Sequence, residues 1–382
     1  MKLAEFTDKH IAFREEVREF ARKELLEEST QIERKGEFPW HIINKIKERG
    51  WLGVNFPEEY GGLGLDTTSY IILVEEIARV CASTAIMIAA HVSLACQPIY
   101  VHGTEEQKEK YLITLARGEK IGSFGLTEPN AGSDAGGTET TAEFVGDKWL
   151  INGSKRFITN GTIADLIVFT ATQDRTKRTH GISAFIVEKG TKGFEPGKEE
   201  DKLGLRGSIT SELHFEDCEL PRENLLGKEY EGFKVFMETL DGGRISIGVL
   251  ALGIAQGALD YGIKYVREHS VNGKPLYKYQ WVQKIISDAA TEIMAARHLI
   301  YHAAMLKDRG AESVTEEGAM AKLFASEVST RVCSKIHSIF GKDGVTRKYP
   351  LERFLRDTKL MEIGEGTSEI QRIVISRQIL GR

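Results

Sequence analysis

The segment Ile182-Ser183-Ala184-Phe185-Ile186-Val187 decides the fold class of this chain. Its apolar and β-branched residues predict a buried β-strand. Similar short runs, separated by turn pairs such as Asn152-Gly153, lie on either side of it at Trp149-Leu150-Ile151, Leu166-Ile167-Val168-Phe169 and Leu213-His214-Phe215. Residues 121–229 are therefore predicted to form an antiparallel β-domain.

Residues 1–120 carry a helical pattern instead. Apolar residues recur near helical spacing among Glu, Arg and Lys, at Ile11, Val17, Phe20, Ala21 and Leu25. The long apolar run over residues 70–96 predicts a pair of buried helices. Thr104, with Gln107 three residues later, forms a capping-box pattern that predicts the start of a short helix.

Helical periodicity returns in residues 230–382. Its segments run near residues 233–268, 279–308, 315–340 and 367–380. Helices of this length are typical of an antiparallel bundle. Helices, then strands, then helices predict an α+β protein with three domains, at residues 1–120, 121–229 and 230–382.

The composition is that of an ordinary globular chain, with 382 residues of which 41% are apolar and 28% charged. A formal net charge of −5 argues against nucleic acid or an anionic membrane as the main partner. The four cysteines have no metal-ligand spacing and the ten histidines are dispersed, so we expect no metal site. We expect the thiols to be buried and reduced.

The N-terminal residues open directly into a charged helical pattern, without a signal or transit segment. The sequence contains no run of 18 or more apolar residues, so we predict no membrane-spanning segment. These observations predict a cytoplasmic protein, or a mitochondrial matrix protein if the chain is a trimmed eukaryotic form.

The stretch Ile363-Gly364-Glu365-Gly366-Thr367-Ser368-Glu369-Ile370-Gln371-Arg372 places one carboxylate between two glycines. Flanking glycines allow a close approach of the backbone to a ligand, so Glu365 is predicted to lie at a turn, where catalytic bases are often found. Taken alone, the stretch is a weak signal, and an exposed loop glutamate is its simpler interpretation. The interpretation depends on a second segment elsewhere in the chain.

That second segment is Phe124-Gly125-Leu126-Thr127-Glu128-Pro129-Asn130-Ala131-Gly132-Ser133-Asp134. Further motifs follow it in order, at Phe157-Ile158-Thr159-Asn160-Gly161, Lys202-Leu203-Gly204-Leu205-Arg206-Gly207-Ser208, Leu240-Asp241-Gly242-Gly243-Arg244 and Tyr349-Pro350-Leu351-Glu352-Arg353. Together with the Glu365 stretch, these motifs resemble the acyl-CoA dehydrogenase family over essentially the whole chain.

The resemblance implies an N-terminal helical domain, a middle antiparallel β-barrel-like domain and a C-terminal four-helix bundle. It also implies FAD-dependent α,β-dehydrogenation of an acyl-CoA to a trans-2-enoyl-CoA, with electrons passing to an electron-transferring flavoprotein. A homotetramer built as a dimer of dimers is the assembly that the resemblance implies. The motifs at residues 202–208, 215–218 and 239–245 are closest to the short-chain, butyryl-CoA branch.

Desaturation needs a hydride acceptor, and because no side chain accepts hydride, a cofactor is required. The chain has no G-x-G-x-x-G or Walker motif, so a Rossmann-held nucleotide is not supported. The resemblance assigns FAD to positions in the two β-domain segments, the bundle and the Glu365 stretch: Phe124, Leu126, Thr127, Gly132, Ser133, Phe157, Ile158, Thr159, His269, Gln280, Ser338, Ile339, Phe340, Gly341, Lys342, Thr367, Ser368 and Glu369. Without that context, Thr-Glu-Pro-Asn is also an ordinary surface turn.

The resemblance assigns proton abstraction to Glu365. One branch of the family carries its base immediately before the motif arginine, and here that residue is Gly243. Ser133, Asp241, Arg244 and Gly366 are the implied substrate contacts, in a motif expected to open a helix. Arg244 as a mere salt-bridge partner of Asp241 stays open as the alternative.

A glutamate with an ordinary pKa near 4.3 would be a weak base at neutral pH. Exclusion of water by bound acyl-CoA is expected to raise the pKa of Glu365, while the flavin and backbone amides polarise the thioester carbonyl. The residue before the base, usually Tyr in the family, is Gly364 here. This change is expected to enlarge the pocket near the reacting carbons.

Two departures concern the part of FAD that the family holds across a subunit interface. His269 replaces the usual arginine at the pyrophosphate, and Asn272 replaces the aromatic residue beside the flavin. Lys342 is a candidate for the missing positive charge, as a point charge rather than a bidentate fork. The alternative, that Lys342 is simply exposed to solvent, stays open.

Two other function classes remain. The first is an acyl-CoA oxidase or nitroalkane-oxidase-like flavoenzyme that uses O₂, although acyl-CoA oxidases are usually longer. The second is a non-catalytic scaffold paralogue, against which the intact Glu365 argues. A glutaryl-CoA substrate is disfavoured because residues 82–94 offer no cation for a distal carboxylate. An isovaleryl-type enzyme is disfavoured because no base precedes Arg244.

Overall fold

The computed structural model describes residues 6–381. Its N-terminal part is helical, and Thr104 and Gln107 form the predicted capping box at the start of a short helix. The helices are α1 (Asp8–Phe20), α2 (Glu28–Lys35), α3 (Trp40–Glu48), α4 (Thr67–Ala78), α5 (Ala82–Ala89), α6 (Gln97–His102), α7 (Glu105–Gln107) and α8 (Ile113–Ala116). π-helical turns at Ala21–Leu25, Ala90–Cys96 and Lys108–Leu112 continue α1, α5 and α7.

The predicted buried helix pair at residues 70–96 is confirmed. Almost every residue of α4 and all residues of α5 are buried, so these helices are apolar on all sides because they have protein on all sides. Two helical stretches, Ala82–His102 and Gly232–Glu268, are long and apolar enough to cross a membrane by length and composition. In each, 83% of the most apolar window is buried inside the protein, as expected of core helices.

The middle part of the chain forms a single sheet. Its strands are β1 (Gly122–Gly125), β2 (Thr141–Val145), β3 (Lys148–Thr159), β4 (Leu166–Thr172), β5 (Ile182–Glu188), β6 (Phe194–Glu199), β7 (Thr210–Pro221) and β8 (Leu225–Leu226). They are ordered β6-β7-β3-β2-β4-β5-β8, and β1 pairs with β4.

Most neighbouring strands are antiparallel, as predicted, but β1 runs parallel to β4, and β2 meets β4 in parallel at one residue pair. Among the described residues, no ladder joins β6 to β8, so the sheet does not close into a barrel. The aromatic residues Trp149, Phe169, Phe185 and Phe215 belong to the apolar core of this sheet.

The C-terminal part contains the four predicted long helices and one more. They are α9 (Gly232–Glu268), α10 (Gln280–Asp308), α11 (Thr315–Ile339), α12 (Leu351–Met361) and α13 (Ser368–Leu380), with a small hairpin of β9 (Ser270–Val271) and β10 (Lys274–Pro275). Helix α12 was not predicted. The expectation that residues 241–244 open a helix was wrong, because α9 begins nine residues earlier and runs through them.

Helices α9, α4 and α5 share one core with β1 and β4, which fixes the sheet against the bundle. Residues 204–205 of the middle part contribute a second attachment to α12. The Leu205 amide donates a 2.6 Å hydrogen bond to Asp357 Oδ1, and a side chain at Gly204 would collide with the backbone of Arg356. The four cysteines are free and buried, as expected.

Candidate active site

Glu365 lies in the connection between α12 and α13, as the flanking glycines predicted. It has φ 55°, and the following Gly366 has φ 96°. Non-glycine residues rarely adopt such values, and they concentrate at functional sites. Thr367 ends the turn by capping α13, its hydroxyl accepting a hydrogen bond from the Ile370 amide. The turn therefore fixes Glu365 outside a helix, with its side chain directed toward α9.

One oxygen of the Glu365 carboxylate, Oε2, is buried without a partner among the described residues. Gly243 of α9 faces this atom so closely that a Cβ at position 243 would lie 2.2 Å from Oε2. Burial raises the pKa of Glu365 to about 7, against the opposing charges of Lys322 and Arg244. The structure thus gives the carboxylate a raised pKa through the fold itself, before any substrate excludes water.

Arg244 and Asp241 form a buried ion pair beside this carboxylate. Arg244 Nη1 lies 2.6 Å from Asp241 Oδ1, and the Thr315 hydroxyl also donates to Asp241. The salt-bridge interpretation is therefore correct for one end of the guanidinium. Arg244 Nε is buried and has no partner in the described part of the chain, so a donor remains for a ligand.

The two β-domain segments assigned to FAD lie side by side. The Ser123 hydroxyl donates to the Thr159 carbonyl at 2.6 Å, and the Arg156 amide donates to the Thr127 carbonyl at 2.8 Å. The hydroxyls of Thr127 and Thr159 are half-buried and make no hydrogen bond to another described residue. Two hydroxyls on adjoining segments are thus available to a polar ligand edge.

Phe157 has the geometry of an exposed aromatic platform. The residue is 57% exposed and its backbone has φ 59°, an unusual conformation for an aromatic residue. The Arg156 guanidinium lies over the ring, 4.9 Å from its centroid. By contrast, the Phe124 ring is buried and stacks on Phe236, with the ring centroids 4.1 Å apart. Phe124 therefore packs the core behind the segment, and its side chain is not free to meet a ligand.

The FAD assignment fits these residues. An exposed aromatic ring beside half-buried Thr127 and Thr159 suits a planar ring system with a polar edge. Gly132 leaves open space where a side chain would be, and Ser133 is exposed next to it. No group of three or more His, Cys, Asp or Glu side chains within residues 6–381 could hold a metal ion.

A buried ion pair fixes the first FAD segment, residues 124–134, in position. Lys155 Nζ lies 2.7 Å from Glu128 Oε1, and the side chains are 0% and 1% exposed. Lys155 also donates to the Leu126 carbonyl, and Glu128 accepts from the Thr140 amide. This pair was not predicted from the sequence, because a lysine in an exposed-looking strand gives no sign of burial.

The remaining FAD positions cluster at the far end of the bundle. Tyr265 stacks on His269 and on Phe340, with ring centroids 3.9 Å and 4.0 Å apart. Four further assigned positions are exposed: Gln280 at the start of α10, Ser338 near the end of α11, and Gly341 and Lys342 just after that helix. Ile339 is buried. In the described part of the chain, no hydrogen bond or ion pair joins His269 or Lys342 to Glu365 or Phe157.

The two assigned positions Ser368 and Glu369 in the Glu365 stretch differ in exposure. Ser368 is buried and its hydroxyl is without a partner in the part of the chain described, whereas Glu369 is exposed at the start of α13. Three further residues around this stretch were not predicted. Lys322 and Gln371 both donate to the Gly366 carbonyl, at 2.6 and 3.0 Å. Tyr70 donates to Ser246 at 3.0 Å, and its pKa rises on burial and through the charge of Glu365.

Three family models match successive parts of the chain. They are described as acyl-CoA dehydrogenase N-terminal domain at residues 7–119, middle domain at residues 123–218 and C-terminal domain at residues 230–380. The chain belongs to the acyl-CoA dehydrogenase family. It is accordingly an FAD-dependent oxidoreductase that dehydrogenates acyl-CoA.

Individual relatives are similar over nearly their full length. A short-chain specific acyl-CoA dehydrogenase of Clostridium acetobutylicum is 50% identical over 366 residues, 96% of each chain. The butyryl-CoA dehydrogenase structure from Megasphaera elsdenii superposes with TM-score 0.96 at 44% identity, covering all of both chains. A chain from the structure "Electron transferring flavoprotein of Acidaminococcus fermentans: Towards a mechanism of flavin-based electron bifurcation" gives TM-score 0.97 at 50% identity, again over both full chains.

Proposed function

We propose that this acyl-CoA dehydrogenase oxidises a short-chain acyl-CoA and that Glu365 is its base. The observation that carries the proposal is the buried, unpartnered Oε2 of Glu365 opposite Gly243. With a pKa raised to about 7, the carboxylate is a stronger base than an ordinary glutamate and is still substantially ionised at neutral pH. Such matching of pKa to working pH is what general-base catalysis requires.

In the proposed reaction Glu365 removes the α-proton of the acyl-CoA, and bound FAD supplies the acceptor for the hydride that leaves the β-carbon. Thr127, Thr159, Phe157 and the exposed turn at residues 132–133 would hold the flavin. Arg244 offers its free Nε–H to the substrate while Asp241 keeps the guanidinium oriented. Because Gly243 carries no side chain, position 243 supplies no second carboxylate, and Glu365 is the acceptor of the α-proton.

The short-chain assignment is supported by the relatives, which include short-chain and butyryl-CoA enzymes. Gly364 adds a structural reason for testing longer substrates. A Cβ at Gly364 would meet only Leu360, with the carbonyl oxygen at 3.5 Å, so a side chain could begin at this position without a collision. We therefore propose a C4 preference, with a tail of activity toward longer chains.

We further propose an electron-transferring flavoprotein as acceptor and a homotetramer built as a dimer of dimers. The similarity to the Acidaminococcus fermentans structure supports the first, and the half-buried His269 and the exposed Lys342 support the second. We place the domain boundaries at residues 120/121 and 229/230, and the protein in the cytoplasm or the mitochondrial matrix. Light scattering that gives an active monomer would contradict the tetramer.

Flavin bleaching under anaerobic conditions tests the activity. Purified protein with FAD is mixed with straight-chain acyl-CoAs from C4 to C16, and the first-order rate of flavin reduction is recorded for each. We expect the fastest reduction with C4, and reoxidation that is faster with the flavoprotein acceptor than with air. Faster reoxidation by O₂ would identify an oxidase. Absence of flavin bleaching with every substrate would favour the non-catalytic scaffold paralogue.

A further inference from the structure

Lys322 places an ammonium group in the interior next to the turn that carries Glu365. The side chain on α11 is 0% exposed, and its Nζ donates a 2.6 Å hydrogen bond to the Gly366 carbonyl. Burial lowers the pKa of Lys322 to about 8, against the opposing charges of Glu365 and Glu362. The group is therefore mostly protonated at neutral pH. A buried cation is strongly unfavourable unless nearby anions and hydrogen bonds compensate it.

A neutral side chain supports the same turn. Gln371 is fully buried, and its Nε2 donates to the carbonyls of both Glu365 and Gly366 at 3.0 Å. The turn has φ 55° at Glu365 and φ 96° at Gly366, so its conformation must be held by the surroundings. Lys322 and Gln371 thus perform the same mechanical task, but only Lys322 brings a charge. This difference allows the two contributions to be separated.

We propose that Lys322 is a positioning residue for Glu365: it holds the Gly366 carbonyl, and its positive charge favours the carboxylate form of the neighbouring side chain. The inference rests on the proposed role of Glu365 as base. It adds to that role a residue on helix α11, 43 positions before Glu365 in the chain, that sets the pH range in which Glu365 is ionised.

The groups that face Glu365 come from several elements. Tyr70 lies on α4, Asp241 and Arg244 on α9, and Lys322 on α11. Glu362 and Glu369 flank the turn itself and interact with Lys322. Of the two cations, Lys322 lowers the pKa of Glu365 more than Arg244 does. Arg244 is already paired with Asp241, so loss of Lys322 leaves the carboxylate without its main favourable charge.

The test compares Lys322→Gln, Gln371→Met and Glu365→Gln as FAD-loaded proteins. The measurement is kcat/KM for butyryl-CoA between pH 6 and 9, which reports ionisation in the free enzyme. In Lys322→Gln the rise of activity with pH should move about one pH unit or more upward, with a loss of roughly fivefold at pH 7 that shrinks at higher pH. Gln371→Met should lower the rate at all pH values without moving the profile.

An unmoved profile in Lys322→Gln, with activity reduced equally at every pH, would overturn the electrostatic role. Flavin content and the visible spectrum check that each variant is assembled. If Lys322→Gln does not assemble, Lys322→Arg keeps the charge and should keep the wild-type profile, and an upward movement in that variant would equally overturn the proposal. Glu365→Gln separates the two hypotheses. If it remains active, the base assignment fails, whereas if it is inactive and Lys322→Gln is unmoved, only the present inference fails.

Discussion

Gly243→Ala is the smallest change that should disable the proposed base. The new methyl carbon would lie 2.2 Å from Glu365 Oε2 and 3.0 Å from a methyl carbon of Leu94. An ordinary carbon–oxygen contact is longer, so the carboxylate must move by about 1 Å. Misplacement by that distance is enough to cost about 100-fold in rate. Alanine favours the helix over glycine by about 1 kcal/mol, which opposes any loss of stability.

The matched control is Gly242→Ala, one residue earlier in α9. There the new carbon would meet only Lys307 Nζ, at 3.0 Å, and that ammonium is the far end of a flexible side chain. The same helix preference applies to both variants, so a difference between them reports the local collision. We expect Gly242→Ala to reduce its flavin at close to the wild-type rate and Gly243→Ala to be about 100-fold slower.

The assay is stopped-flow flavin reduction by butyryl-CoA, with thermal unfolding measured in parallel. Both variants should remain yellow and folded, since the atom that must move belongs to a side chain. Reduction of Gly243→Ala at the wild-type rate would refute the reasoning, because the carboxylate would then not lie against this helix. The same collision affects the variant Gly243→Glu, which would place a carboxylate at position 243. It must be combined with Glu365→Gly, because the side chain left by Glu365→Gln would occupy the same space.

Three further outcomes follow from buried or uncompensated charges. Folded Glu365 binds its proton more tightly than a glutamate with the ordinary pKa of 4.5. Its ionisation therefore lowers the free energy of unfolding progressively as pH rises from about 4.5 to 7, by up to about 3 kcal/mol. Glu365→Gln should stabilise the FAD-free protein at pH 8 more than at pH 5, and equal effects on the thermal midpoint at the two pH values would contradict this. Lys155→Met leaves Glu128 buried and unpaired and should cost about 3–5 kcal/mol in denaturant unfolding, partly restored in Lys155→Met/Glu128→Gln, whereas equal losses would argue against the pair. Lys342→Ala should weaken FAD binding more at low salt than at high salt, with exposed Lys335→Ala as control, and an unchanged dissociation constant would make Lys342 a surface residue.

Local patterns in the sequence predicted most of the architecture. The strand at residues 182–187 and the long helices were predicted because their periodicity reports burial on one or both faces. The helix α12 was missed although its buried residues, among them Leu351, Phe354 and Met361, follow helical spacing. The parallel pairing of β1 with β4 lay beyond prediction, because the pattern of one strand does not identify its neighbour.

Two kinds of signal predicted the candidate site: glycines marked the residues around the base, and the family motifs marked the flavin segments and Arg244. Glu365 stood out because Gly364 and Gly366 flank it, and Gly243 because it interrupts a recognisable motif. Lys322 was not predictable, since a lysine on a helix is normally exposed and its burial depends on a turn 44 residues away. The expected cause of the raised pKa of Glu365 was also incomplete. Burial by the protein itself raises it, without bound acyl-CoA.

The rate of flavin reduction in Glu365→Gln tests the central claim most directly. Glutamine keeps the size of the side chain but cannot accept the α-proton at neutral pH. Binding of butyryl-CoA should survive, and the single-turnover rate of reduction should fall by about 10²- to 10⁴-fold, the contribution of a positioned general base. Reduction at close to the wild-type rate with butyryl-CoA bound would contradict the assignment of Glu365 as the base.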